Sequence, residues 1–141
     1  LQMALGGLIS AGYAGLSCPQ LPGCRPGAAN WQALDPWQVP GAGAGLSQYA
    51  GGVGVQWLHR LGALAVLAAV LALALVAWRA GRRKAATALA ALVALQTEVG
   101  IVLALGALPL GVALAHNLLA ALLLAAVATL LPGTRALSPG L

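Results

Sequence analysis

The chain has 141 residues, of which 61% are hydrophobic and only 6% are charged, and its mean hydropathy is +0.93. Residues 61–78 and 99–131 carry no charged side chain. A hydrocarbon core about 30 Å thick needs roughly 20 helical residues to cross, and a backbone in lipid must satisfy its own hydrogen bonds. This composition excludes an ordinary soluble domain and predicts an all-α, polytopic membrane protein.

The net charge of +5 does not indicate nucleic acid as a partner. Four of the seven basic residues cluster between two apolar runs, at Arg79, Arg82, Arg83 and Lys84. Such a cluster is typical of a short cytoplasmic loop, which we place at 79–85. We therefore expect contact with membrane lipid and no nucleic-acid binding.

The apolar runs predict a transmembrane four-helix half-domain over 1–131, with a cytoplasmic tail at 132–141. The predicted helices are about 1–17, 53–78, 86–107 and 111–131. With the basic loop inside, the Pro- and Gly-rich segment 18–52 and the turn 107–111 lie outside. Because the chain begins with Leu1 and no basic flank, we expect it to be the carboxy-terminal part of a longer protein.

An internal duplication organises these helices. HRLGALAVLAAV (59–70) and HNLLAALLLAAV (116–127) agree at seven of twelve positions, and LQMALG (1–6) is echoed by LQTEVG (95–100). We predict a bundle of two helix-pair repeats about a pseudo-twofold axis along the membrane normal. That axis sets the second and fourth helices on opposite sides of one interior.

The two histidines, His59 and His116, occupy equivalent positions of the repeats. Both fall roughly 8 Å below the outer surface at 1.5 Å per helical residue. Two imidazoles make a poor zinc site, whereas a haem iron needs only two ligands from the protein. We predict that they are the axial ligands of one haem; the alternative is that they bridge helices by hydrogen bonds.

Small residues beside the histidines would admit the porphyrin ring. They are Gly62, Ala63, Ala113 and Ala120. Arg60 is a candidate partner for a haem propionate, with an interfacial, snorkelling cation as the alternative. Gln2 and Gln96 match across the repeats and are expected to form hydrogen bonds between helices, or else near the ligand.

Three further residues are singled out by their chemistry. Cys18 and Cys24 flank PQLPG in the outer loop, where an oxidising compartment favours a disulfide; free thiols and a redox pair are the alternatives. Glu98 is the one acid within an apolar helix, and it is a functional candidate with structural tolerance as the alternative. It has no counterpart in the other repeat, where Ala4 stands.

Several motifs in order resemble the carboxy-terminal half of the haem A synthase family. They are LQMALGGLISAGYAGLSCPQLPGC, VQWLHRLGAL and LQTEVGIVLALGALPLGVALAHNLLAALLL. The resemblance covers nearly all of residues 1–131. It implies an eight-helix enzyme of a bacterial inner membrane, made of two such halves, that oxidises a methyl group of haem O to the formyl of haem A.

The resemblance also implies a division of labour between the halves. In the family, the amino-terminal half is the haem O site and carries a Glu one turn before its first His; the other half holds an electron-relaying haem b. Here Gln56 stands three residues before His59, so His59 and His116 take the haem b role and this segment contains no catalytic residue. The resemblance also supports the Cys18–Cys24 disulfide, and no family motif matches Glu98.

The expected partners are therefore the amino-terminal half and haem O, and a homo-oligomer that rebuilds the eight-helix form is a further candidate. Two other functions fit the sequence. One is an electron-transferring membrane cytochrome b subunit, and the other is a cofactor-free helical module that supports assembly of a larger complex.

Overall fold

The fold consists of four α-helices in a computed structural model that describes residues 1–18, 20, 26–27, 31–37, 49–105 and 108–130. The helices are α1 (Gln2–Ala11), α2 (Val53–Arg79), α3 (Arg83–Leu105) and α4 (Leu110–Ala128). Short 3₁₀ helices lie at Gln32–Leu34 and Ala50–Gly52. No strand occurs in the described ranges, which confirms the all-α class. Cys24 and the predicted tail 132–141 lie outside those ranges.

Three of the helical segments are long and apolar enough to cross a membrane. They are Ala50–Arg79, Arg83–Leu105 and Leu110–Ala128. α2 alone has 27 residues, which corresponds to about 40 Å. Many of their large apolar side chains are exposed, among them Leu64, Leu71, Leu114, Leu118 and Leu122. A surface of this kind is suited to lipid, and the prediction of a helical membrane bundle is confirmed.

α1 is shorter than the helix predicted over 1–17, because it ends at Ala11. Tyr13 adopts a left-handed φ of 54°. The Ala14 amide donates to the Ile9 carbonyl at 2.9 Å, and the Tyr13 amide faces the Ser10 carbonyl at 3.4 Å. These two bonds form a Schellman motif, which satisfies the last carbonyls of a helix and turns the chain away from its axis. The ten residues of α1 span about 15 Å.

The basic loop between α2 and α3 is a tight turn of the same kind. Gly81 has a φ of 79°, a backbone conformation that glycine adopts without a steric penalty. The Arg82 amide donates to the Ala77 carbonyl at 2.9 Å. Arg83 then lies over the Trp78 ring at 5.6 Å from its centroid. The turn makes α2 and α3 antiparallel neighbours.

The main apolar core lies near the basic loop. It consists of Val70 and Ala74 of α2, Leu89 and Val93 of α3, and Leu123 of α4. A second, smaller cluster of Ala14, Ala33 and Val55 joins the segment after α1 to α2. In the described residues, close packing runs from α1 to α2, from α2 to α3 and from α3 to α4, whereas α4 does not pack closely on α1 or α2. The histidine-bearing ends of α2 and α4 therefore lie away from the main core.

Candidate cofactor site

His59 and His116 occupy matching positions in two parallel-running helices. His59 is the seventh residue of α2 and His116 is the seventh residue of α4. Both side chains are half-buried. The sequence duplication predicts such matching positions in α2 and α4.

Gln2 of α1 holds His59 through its side-chain amide. Its Nε2 lies 3.1 Å from His59 Nδ1 and donates to the His59 carbonyl oxygen at 2.9 Å. Gly62 lies one turn further along α2, and a Cβ there would come within 2.2 Å of Gln2 Oε1. The space beside Gly62 is thus filled by the glutamine amide. This corrects the expectation that Gly62 leaves room for a porphyrin ring.

Gln96 of α3 makes the equivalent contact with His116 of α4. Its Nε2 lies 3.2 Å from His116 Nε2. Gly100, one turn further along α3, packs directly against the imidazole, and a Cβ there would be 2.9 Å from His116 Cε1. Real Cβ contacts of this length essentially do not occur. The absence of a side chain at Gly100 therefore allows the His116 imidazole to approach α3 closely.

The same small unit thus occurs twice in the bundle. In each copy a glutamine and a glycine four residues later lie on one face of a helix and contact the histidine of the next helix. The glycine of the first copy is Gly6, which corresponds to Gly100. A Cβ at Gly6 would be 3.5 Å from His59 Cε1. The predicted interhelical hydrogen bonds of Gln2 and Gln96 are confirmed. The sequence motifs show that the two glycines match, but the motifs alone do not show that the histidine rings pack against these glycines. The spacing of four residues between each glutamine and its glycine is the sequence signal for this packing.

The site contains polar atoms that no protein group satisfies. Within the described residues, Gln2 Oε1, Gln96 Oε1 and His116 Nδ1 are buried without a hydrogen-bond partner. Buried polar atoms without a partner are rare in folded proteins and ask for an explanation. Gln2 Nε2 lies 3.1 and 3.5 Å from the two ring nitrogens of His59, whereas Gln96 contacts Nε2 of His116 and leaves Nδ1 without a partner. Two imidazoles with lone pairs to donate are a donor set that fits a haem iron.

Arg60, next to His59, is directed to the segment that follows α1. Its Nη2 donates to the Cys18 carbonyl at 2.5 Å, and its Nη1 donates to the Gln20 carbonyl at 2.8 Å and lies 3.2 Å from Cys18 Sγ. Cys18 is 1% exposed and is not a free thiol. Cys24 lies outside the described residues. Arg60 therefore fastens the outer segment to α2, and its pairing with a propionate stays a prediction.

Gln56 is the buried polar residue of the described core, with 7% exposure. Its Nε2 donates to the carbonyl oxygens of Ala14 and Gly15, at 3.1 and 2.8 Å. An ionised carboxylate at this position has no N–H to donate. The amide of Gln56 is thus matched to its two carbonyl partners as a glutamate would not be.

Glu98 does not join the site. It is exposed on α3, two residues from Gln96, and it forms no hydrogen bond or ion pair with the part of the chain that the structure describes. The candidate ligands of a metal ion also form no cluster of three or more in those residues. Chemistry at this site therefore depends on His59, His116 and the groups that hold them.

Fold and site together define a helical membrane protein with two histidines held in duplicated Gln–His units. Residues 1–128 match the family COX15-CtaA, described as cytochrome oxidase assembly protein. The chain belongs to this family, which confirms the resemblance noted in its sequence.

Two curated relatives carry the name Heme A synthase. The one from Shewanella oneidensis is 34% identical over 139 residues, which cover 92% of this chain and 41% of the relative. The one from Methylobacterium sp. (strain 4-46) is 40% identical over 133 residues, which cover 88% of this chain and 35% of the relative. The chain thus spans less than half the length of either relative. No solved structure matches it.

Proposed function

We propose that this chain is the haem b-binding half of a haem A synthase, an enzyme that oxidises the methyl group of haem O to the formyl of haem A. The observation that carries the proposal is the pair of equivalent Gln–His units, with the histidines at matching positions of α2 and α4. The Heme A synthase relatives support the activity of the whole enzyme. The matched region, well under half of each relative, supports the assignment to one half of it.

In this proposal His59 and His116 would hold the iron of a single haem b. The haem b would supply one-electron transfer. If both histidines serve as its ligands, no position on the iron would be left for substrate, which suits electron relay.

Gln56 supports the assignment to the relaying half. The family pattern places a glutamate three residues before the first histidine of the haem O half, and this chain has Gln56 there. The two carbonyl contacts of Gln56 give it a structural role in holding the segment after α1. We accordingly assign no catalytic residue to this chain, and turnover requires the amino-terminal half.

The outer segment is proposed to cover the site in an oxidising compartment, outside a bacterial inner membrane. We propose that Cys18 pairs with Cys24, which would close a short loop at the point where Arg60 grips the chain. Arg60 is also the proposed partner of a haem propionate, through the N–H groups that the loop leaves available. The basic loop 79–85 then faces the cytoplasm.

Removing either histidine tests the proposal. In the purified full chain loaded with haem b, His59→Ala and His116→Ala are each expected to abolish the low-spin absorption spectrum, because six-coordinate iron needs both ligands. Leu61→Ala and Asn117→Ala, at exposed positions beside the histidines, are matched controls that should keep the spectrum. A low-spin spectrum that survives in either histidine variant contradicts axial ligation.

The rival functions predict different results in the same preparation. A cofactor-free assembly module predicts that the wild-type chain takes up no haem. A cytochrome b subunit predicts the same spectrum but no haem A when the chain is combined with the rest of its protein and supplied with haem O. Formation of formyl haem in that combined preparation supports the synthase.

A further inference from the structure

The hydrogen bond between Gln96 and His116 leaves a polar atom of each side chain without a partner in the described residues. Its amide nitrogen lies 3.2 Å from His116 Nε2, and this is the only hydrogen bond that its side chain makes in the described residues. The amide oxygen of Gln96 and Nδ1 of His116 are both buried and without a partner. A pair so placed is half satisfied, and half-satisfied buried polar groups are costly.

Binding of a metal through Nδ1 of His116 would give that buried nitrogen a partner. An imidazole that gives the lone pair of one nitrogen to a metal carries its proton on the other nitrogen. A glutamine amide can be turned end for end with almost no change in shape. In the turned orientation Oε1 of Gln96 would accept the N–H of His116 Nε2, and Nδ1 would be the nitrogen that binds the metal.

We propose that Gln96 is a positioning residue, which fixes the ring orientation and protonated nitrogen of His116 as an axial ligand and thereby tunes the bound iron. This inference rests on the proposed haem b site. Groups that accept the second N–H of a ligating histidine hold the ring in place and raise its basicity. Gln96 acts on the iron through His116 and does not touch it.

Gln2 is the counterpart of Gln96 in the first repeat, but it has a further hydrogen-bond partner. Its amide nitrogen also donates to the His59 carbonyl oxygen at 2.9 Å, so it ties α1 to the α2 backbone as well as to the ring. A substitution of Gln2 therefore disturbs helix packing and ring orientation together. Gln96, whose only partner is the ring, separates the two effects and is the better residue to test.

The test compares Gln96→Leu and Gln96→Glu with Thr97→Val in the full chain loaded with haem b. Loss of such an outer partner typically weakens metal binding by about 10–100-fold, and we expect Gln96→Leu to weaken haem b binding by that amount. Gln96→Glu keeps the shape but offers a stronger acceptor, so the midpoint potential should become more negative. Thr97 is satisfied within α3 by the Val93 carbonyl at 2.8 Å, and Thr97→Val should change neither quantity.

Each outcome decides the inference. Wild-type affinity and potential in Gln96→Leu would overturn it, and so would an unchanged potential in Gln96→Glu. An equal loss in Thr97→Val would overturn it too, because it would show that α3 packing is responsible. If Gln96→Leu does not fold, as judged by its circular dichroism, the potential of the isosteric Gln96→Glu variant decides. If the wild-type chain binds no haem, the proposed function itself is refuted. If the wild-type chain binds haem and the variants behave as it does, only the role of Gln96 is refuted.

Discussion

At the scale of single residues, three glutamines each hold another part of the molecule. Gln56 binds two carbonyls of the segment after α1, and Gln2 and Gln96 bind the histidines. In an apolar protein these hydrogen bonds specify geometry that packing leaves undetermined. The identity of each amide therefore matters more than its size.

Gln56→Glu is expected to destabilise the protein although the two side chains have nearly the same shape. A carboxylate would face two carbonyl oxygens without a hydrogen to donate, and an unsatisfied buried group costs about 1–3 kcal/mol. The thermal unfolding midpoint measures the effect. Gln32→Glu, at an exposed position, is the control and should unfold as the wild type does. An unchanged midpoint in Gln56→Glu would refute the role assigned to its amide.

Arg60 shows how a neighbouring residue restricts a predicted role. Its guanidinium already donates to Cys18 and Gln20, so a haem propionate would have to share it with the outer segment. The planar guanidinium of arginine can make several such contacts at once, which the ammonium group of lysine does not reproduce. The outer segment and the rim of the proposed haem site thus depend on one side chain.

At the scale of helices, the approach of α3 to α4 is set by a glycine. Gly100 lies so close to His116 that a methyl group would meet the ring at 2.9 Å, whereas the same change at Gly6 would make an ordinary contact at 3.5 Å with His59. The two positions are equivalent in sequence but not in tightness. The contact between glycine and imidazole is therefore closer in the second Gln–His unit than in the first.

Gly100→Ala is expected to displace the His116 ring and weaken haem b binding at least tenfold, a loss of about 1.4 kcal/mol. Gly6→Ala, its repeat counterpart, should retain nearly full binding. Gly111→Ala on α4, where nothing lies within 4 Å, is a second control. Haem titration followed by absorption measures all three, and equal behaviour of Gly100→Ala and Gly6→Ala would contradict the difference in packing.

Much of the helical architecture could be predicted from sequence because it depends on local pattern. Charge-free runs predict α2, α3 and α4 to within a few residues, and the duplication predicts that His59 and His116 occupy matching positions of α2 and α4. The early end of α1 could not be predicted, because it depends on a left-handed Tyr13 and on carbonyls bound by Gln56 from α2. A hydropathy profile contains no signal for the Tyr13 conformation or for the hydrogen bonds of Gln56.

The candidate site could also be predicted only in part. The matching glutamines were visible in the sequence, and their bonds to the histidines followed the duplication. The filling of the space at Gly62 by Gln2 could not be foreseen, since it depends on how α1 is rotated against α2. Long-range side-chain contacts of this kind have no periodic signal along the chain.

At the scale of the whole molecule, the chain covers less than half the length of its Heme A synthase relatives. It carries the Gln–His units and a Gln at position 56, where the family pattern of the other half has an acid. Its membrane-crossing helices also expose much apolar surface. Under the function proposed above, a chain with these features would be the component that holds the cofactor.

The chain by itself is therefore expected to bind haem b and to convert no haem O. Incubation with haem O and an electron donor, followed by chromatography of the extracted haems, measures the product. The same chain combined with the remaining part of its protein serves as the positive control and should yield haem A. Product from the isolated chain would contradict the division between the two halves.

The two Gln–His contacts join residues at very different separations along the chain, 57 positions for Gln2 and His59 against 20 for Gln96 and His116. By the logarithmic dependence of loop closure on length, the longer connection costs about 0.9 kcal/mol more in entropy. The contact between α3 and α4 therefore has the smaller entropic cost of closure. Arg60 and the two cysteines lie within or beside the longer connection, where the hydrogen bonds of Arg60 to Cys18 and Gln20 shorten the length of chain left unconstrained.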